Sequence, residues 1–179
     1  TNIENKFLVG LRDNGVMLYS EADIVELRSN VRLKKLFLLD SPLQKDSLKK
    51  FTKEQRLQFL ESRNSFVEIN LRARNAISDA DIIIYSPGTQ HSSLYPTYLT
   101  KGFSSCVFDN KRSLKIFITN IGEDYETPKY TASDYILGAY EYLSYGALSY
   151  PIEGLFHYNF VNKIRKDLNK SSTTYVLPD

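Results

Sequence analysis

The stretch "DADIIIYSPGTQHSSLYPTYLTKG", Asp79 to Gly102, decides the fold. Ile82 to Tyr85 is a short apolar run with no polar face, as expected of a strand inside a parallel sheet. It breaks at Ser86-Pro87-Gly88, and four hydroxyl residues with His91 then crowd the eight positions from Ser86 to Ser93. A strand-to-helix connection needs only two to six residues of ordinary turn chemistry. Pro87 fixes φ, and Gly88 permits φ > 0 and a close backbone approach. Thr89, Ser92 and Ser93 offer hydroxyl donors. The helix expected from about Ser93 offers free N–H groups and a positive dipole end. Together these can receive a phosphate or a carboxylate. The plainer alternative, a turn whose serine caps the next helix, explains one proline, one glycine and one serine but not the rest.

Upstream, Ser65 with Glu68 makes a capping-box pattern. Phe66, Ile69, Ala73, Ala76, Ile77 and Ala80 recur at helical spacing, so a helix is expected to end near Ser78. Downstream, Cys106 to Phe108 reads as helix or turn, and "LKIFITNI" from Leu114 is a second two-sided apolar strand. Thr131 to Asp134 caps another helix, with Ala132, Ile136, Ala139, Tyr140 and Leu143 on one face. "FHYNFV" and "TTYVL" are weaker strand candidates. Nearer the start, Asp13-Asn14-Gly15 lies between apolar runs, a hairpin signal, and Lys34 to Asp40 is an apolar run broken by Ser41-Pro42. Residues 41–64, rich in helix formers from Lys45 to Arg63, read as an outer helical insertion with a solvated lysine face. Strands alternating with helices give an α/β layered sheet, mostly parallel, with an N-terminal strand and hairpin region. Right-handed crossovers set Ile82–Tyr85 and Leu114–Ile118 parallel, with the loops after both at one edge, where ligands of open α/β sheets collect.

The whole chain of 179 residues suits one domain, with 42% apolar and 25% charged residues. A net charge of +2 gives no footing for nucleic acid, and no apolar run approaches the ~20 residues of a membrane span. Cys106 is the single cysteine, which fits a reducing cytoplasm. In the second loop, Asn120 can hydrogen-bond a base, ribose or phosphate, or satisfy its own turn. Glu123, Asp124 and Glu126 are acids that can meet a metal or simply face water. Asp134 belongs equally to a first helical turn. His91 has no partner at metal-ligand spacing.

These segments carry a family resemblance. "ISDADIIIYSPGTQHSSLYPTYLTKG" resembles the "ADxIxxGPGSLYTSxxPNLL" pattern of the 2-phospho-L-lactate transferase (CofD-like) family, nearest to its gluconeogenesis-factor (YvcK-like) branch. "NGVMLYSEADI", Asn14 to Ile24, is similar to the family's "nGxxxxGExxI", and "VRLKKLFLL" to its "Ikrvfl" strand. "KIFITNIGEDYETPKYTASDY" is similar to "kvyvcNxxTQPGETxxYtasdH", keeping Asn120, Glu126, Thr127, Tyr130 and Asp134. Departures are Ser86 for the first loop glycine, Tyr135 for a histidine, and a second loop one residue shorter. The family's opening "GGTG" phosphate loop is absent, so the chain reads as the C-terminal part of a larger domain carrying one wall of a cleft.

The resemblance implies a Rossmann-like α/β fold and binding of a phosphorylated nucleotide or nucleotide-sugar through Pro87, Gly88, Thr89, His91, Ser92, Ser93, Asn120, Glu126, Thr127, Tyr130 and Asp134, in a cytoplasmic protein. Transferase members move a phospholactyl or related group from a guanosine diphosphate-linked donor with magnesium; gluconeogenesis-factor members bind nucleotide-sugars such as UDP-N-acetylglucosamine. Three readings follow: a nucleotide-sugar-binding domain without turnover, a phospho-group transferase once joined to the missing segment and Mg2+, or a degenerate structural domain. Neither a nucleic-acid nor a membrane partner is expected. A free sheet edge could pair copies into a homo-oligomer.

Overall fold

The computed structural model describes residues 4–145 and 150–162. Its strands form two sheets of three. β1 (Phe7–Arg12) is the centre of an antiparallel sheet in the order β2-β1-β3, with β2 (Met17–Leu18) and β3 (Leu33–Leu39). The expected hairpin joins β1 to β2, pairing Gly10 with Leu18 and Leu11 with Met17. Gly15 takes φ +83° at its turn, a conformation that side chains disfavour. α1 (Glu21–Glu26), capped by the Ser20 hydroxyl on the Asp23 N–H, follows.

The alternation of β1 and β3 splits their apolar residues between two cores. Leu8, Leu36 and Leu38 join the main core. Val9, Leu11, Phe37 and Leu39 face the other way, under Leu48 and Leu60. Leu60 belongs to α2 (Lys53–Arg63), whose start is a reciprocal capping box between Thr52 and Gln55. The segment expected as an outer insertion is therefore the roof of a second core. Arg56 ties it down by donating to the carbonyls of Gly15, Leu48 and Lys49.

The capping box expected at Ser65 and Glu68 does not form. The Ser65 N–H donates to the Leu38 carbonyl at 2.7 Å, and Val67 and Ile69 pair with Lys101 as extended backbone. Val67 and Ile69 are buried, while Phe66 and Glu68 are exposed. That period of two outcompetes the helical one. The helix α3 (Leu71–Asp79) starts later, with the Asn70 side chain accepting from the Ala73 N–H.

β4 (Ile82–Tyr85), β5 (Leu114–Ile118) and β6 (Tyr158–Phe160) make the second sheet, parallel throughout, in the order β4-β5-β6. Between β4 and β5 run a wide helical turn at Gln90–Leu94, α4 (Tyr95–Tyr98) and α5 (Phe103–Asp109). Between β5 and β6 runs α6 (Ala132–Leu143), opened by a capping box between Thr131 and Asp134. Its buried face is Ala132, Tyr135, Ala139, Tyr142 and Leu143. The expected Ile136 and Tyr140 pack partly buried against the same core, while Tyr135 and Tyr142 go deeper, the hydroxyl of each meeting a partner inside: Thr127 Oγ1 and the Leu36 N–H. The helices pack on the side of Tyr85 and Phe117. The expectation that β4 is buried on both faces fails: Ile82 and Ile84 are exposed. "FHYNFV" contains β6, and "TTYVL" lies outside the described residues.

Candidate functional site

Two loops leave the carboxyl ends of adjacent parallel strands, 86–93 after β4 and 119–131 after β5, and they are wired to one another. Asn120 holds the Gly88 peptide from both sides. Its Oδ1 accepts from the Gly88 N–H and its Nδ2 donates to the Gly88 carbonyl, each at 3.0 Å. The Gln90 Nε2 adds a bond to the same carbonyl at 2.9 Å.

One turn further, the Glu126 carboxylate sits on the start of the helical segment. Its Oε2 accepts from the His91 and Ser92 N–H groups at 2.8 and 2.9 Å, and Oε1 accepts from the Ser92 hydroxyl. Free N–H groups at a helix start attract an anion, and here the chain supplies its own. Burial raises the Glu126 pKa, while the Ser92 hydrogen bonds oppose the rise. Asp124, raised likewise by burial, accepts from the Glu126 N–H at 2.6 Å.

Behind these contacts lies an aromatic wall. The His91 ring is 1% exposed and meets Tyr95 and Tyr130 edge to face. Burial, then the nearby Arg12, depresses its pKa to about 3, so it is neutral. The His91 side chain is buried against Tyr95 and Tyr130 rather than open to solvent. Tyr135 stands where the family pattern has histidine; its hydroxyl is 2.7 Å from Thr127 Oγ1, and burial raises its pKa to about 12. Asp134 belongs to the helix cap and also forms a bidentate pair with Arg32, both bonds at 2.9 Å. Burial works against its charge, but the hydrogen bonds from Arg32 and Thr131 leave its pKa lowered. Arg32 also stacks over the Tyr130 ring, 4.7 Å from its centroid.

The residues singled out in the sequence therefore separate into two groups. Pro87, Gly88, Thr89 and Ser93 form an exposed rim, on which the Thr89 and Ser93 hydroxyls lie 2.8 Å apart. His91, Ser92, Asn120, Glu126, Thr127, Tyr130 and Asp134 form the frame beneath it. Gly88 does not have positive φ, contrary to the turn geometry expected for it. A Cβ there would meet only Leu94 Cδ1, at an ordinary 3.7 Å. Nothing within the fold requires glycine at this place. An open cavity of about 250 Å³ adjoins Ser92, with Lys6, Glu21 and Thr97 in its lining. Sequence reading missed Gln90 and Arg32. Gln90 is a buried amide inside a polar loop, and Arg32 lies 102 positions from its partner.

A family model described as "2-phospho-L-lactate transferase CofD" matches residues 14–175, which hold both loops, the parallel sheet, β2 and β3. The chain belongs to the CofD family. Two solved structures of BH3568 from Bacillus halodurans share its fold. One matches with a TM-score of 0.66 at 19% identity, over 99% of this chain and 48% of that one. The other, described as a member of the UPF0052 family, matches with a TM-score of 0.65 at 20% identity, over 98% and 48%. The chain thus spans about half the length of these CofD-fold relatives. No curated protein matches it.

Of the acids near the two loops, Glu126 and Asp124, which magnesium of the kind implied for transferase members would draw on, are already engaged within the chain. The Glu126 oxygens are taken by three donors, and Asp124 holds the loop backbone. Among the described residues no group of three His, Cys, Asp or Glu side chains could hold a metal ion. No described helix is long and apolar enough to cross a membrane.

Proposed function

We propose that the rim Pro87-Gly88-Thr89 with Ser93 binds the phosphate portion of a nucleotide or nucleotide-sugar, as one wall of a CofD-type cleft. The supporting observation is the double hydrogen bond between Asn120 and the Gly88 peptide. It holds the loop after β4 against the loop after β5, at the edge where ligands of parallel sheets collect. Glu126 meets the N–H groups of His91 and Ser92, so the ligand is left the outer donors, the Thr89 and Ser93 hydroxyls. Gly88 fits a close approach from outside, since its own fold would accept a side chain. Neutral, buried His91 does not donate a proton to a substrate.

This is a binding role in a cytoplasmic protein. Phospho-group transfer belongs to the whole protein, and any magnesium it uses draws ligands from beyond these two loops. The experiment is equilibrium titration of the whole gene product with a panel including UDP-N-acetylglucosamine and GDP. The expected result is saturable binding that Gly88→Ala and Thr89→Val with Ser93→Ala each weaken at least ~10-fold, about 1.4 kcal/mol. Unchanged affinity in these variants, or no binding of any phosphorylated nucleotide, would overturn the reading.

A further inference from the structure

The loop after β5 turns two apolar side chains outward, Ile121 and Tyr125, each 57% exposed. Both stand beside a residue that grips the loop after β4. Ile121 follows Asn120, which holds the Gly88 peptide, and Tyr125 precedes Glu126, which accepts from the His91 and Ser92 N–H groups. The Thr127 N–H donates to the Asp124 carbonyl at 3.2 Å, so Tyr125 and Glu126 are the corner residues of a closed turn. One corner side chain reaches the start of the helical segment beside Ser93, and the other is left in water.

The Tyr125 ring is nevertheless held. Arg28 lies over it, with Cζ 3.8 Å from the ring centroid. Arg28 sits just after α1, on a segment that buried Arg12 pins by donating to the carbonyls of Leu27 and Val31 at 2.5 and 2.6 Å. None of the ion pairs among the described residues uses Arg28, so its planar guanidinium is left to stack on the ring. One face of the ring is thereby covered, and with more than half of the residue open, the other face meets solvent. Packing does not ask for a ring here. Tyr125 belongs to neither core, and the family pattern quoted above has glycine directly before its Glu-Thr pair.

We infer that the open face of Tyr125, backed by Arg28, stacks the base of a nucleotide whose phosphates lie on the rim. A ring already fixed from behind supplies contact area at little ordering cost. It accepts any base, because every base has a π-face. The charge of Arg28 behind the ring also suits an anionic ligand. This inference rests on the phosphate reading of the rim, and it makes Tyr125 the residue that separates a nucleotide from a plain sugar phosphate.

The test is equilibrium titration of the whole gene product with GDP, UDP-N-acetylglucosamine and N-acetylglucosamine 1-phosphate, which has no base. Tyr125→Leu is expected to weaken both nucleotides at least ~5-fold, the lower end of what stacking one base on an aromatic ring gives. Tyr125→Phe should leave them unchanged, and the sugar phosphate should respond to neither variant. Full nucleotide affinity in Tyr125→Leu, where Gly88→Ala still weakens it, would overturn the inference and leave the rim standing. An equal loss for the sugar phosphate would also overturn it, since Tyr125 would then serve the rim or the sugar. A loss in Tyr125→Phe as large as in Tyr125→Leu would make the hydroxyl the contact, with the same consequence. If no nucleotide binds, the inference falls with the reading beneath it. Fluorescence gives a second readout: residues 1–179 contain no tryptophan, so Tyr125→Trp in this chain reports on its own surroundings. Both nucleotides are expected to quench that emission saturably and the sugar phosphate to leave it unchanged. Nucleotide binding without quenching would contradict stacking.

Discussion

The two sheets of this chain invert the usual arrangement. Antiparallel sheets commonly leave one face wet, whereas parallel sheets are covered on both. Here the antiparallel sheet β2-β1-β3 is covered on both, by the main core and by the roof of Leu48 and Leu60. The parallel sheet β4-β5-β6 is covered on one and carries exposed isoleucines on the other. The antiparallel sheet is complete within the described residues. The parallel sheet carries the candidate site at its carboxyl edge and, among the described residues, has one open face.

Matched truncations test this most strongly. Leu60→Ala, in the closed roof, is expected to lower the unfolding free energy of residues 1–179 by about 2–5 kcal/mol. Ile84→Ala, of similar size but on the bare face, should stay within about 0.5 kcal/mol. Denaturant unfolding of both variants measures the difference, and equal losses would break the comparison.

The site loops come next. Glu126→Ala leaves the His91 and Ser92 N–H groups without their acceptor and should cost about 1–3 kcal/mol. Glu126→Gln keeps an acceptor oxygen and should cost less in the same assay. Similar losses in the two variants would show that charge, not hydrogen bonding, holds the loop.

Smaller effects appear against pH, with opposite signs at two neighbouring carboxylates. The folded-state pKa of Asp134 is lowered below 3.8, so its contribution is present above that value and is lost as pH falls through the folded pKa. That of Glu126 is raised above 4.5, so the folded state holds its proton more tightly. Its contribution is greatest at low pH and declines as pH rises through the folded value. Unfolding midpoints followed from about pH 3 to about pH 7 should show a shallower acid limb in Asp134→Asn, worth less than ~1 kcal/mol for this part-exposed pair. Glu126→Gln should reduce the decline on the other side. The smallest stability effect is expected at Gly88→Ala, within about 0.5 kcal/mol, because its Cβ meets no close neighbour. A larger loss would make Gly88 a structural glycine and remove it from the ligand rim.

Much of this was legible locally. Asn14-Gly15 announced the hairpin, Thr131 with Asp134 announced α6, and the two apolar runs became β4 and β5 in parallel register. The positions of both site loops followed from that register. The misreadings share one physical origin, namely competition from distant partners. Ser65 and Glu68 carried a valid cap pattern, yet Lys101, more than thirty positions away, drew Val67 and Ile69 into extended pairing. The resemblance implied a ligand role for His91, and its burial in the cage of Tyr95 and Tyr130 depends on residues the loop itself does not show. Glu126 was open to a metal, a ligand or water, and its use of the loop's N–H groups depends on how two strand ends meet. The bare face was hidden for a related reason: a sequence with two-sided apolar strands does not say which side its own helices will take.

The central claim is that the rim after β4, held by Asn120, is where a phosphorylated ligand lands. Two-dimensional amide NMR of the labelled chain, titrated with UDP-N-acetylglucosamine and with GDP, tests it most directly. The account predicts saturable shifts concentrated at Gly88, Thr89, Ser93 and Asn120, with the roof residues Lys53 to Arg63 unmoved. Shifts centred elsewhere, or none at any nucleotide concentration that saturates the whole gene product, would contradict it.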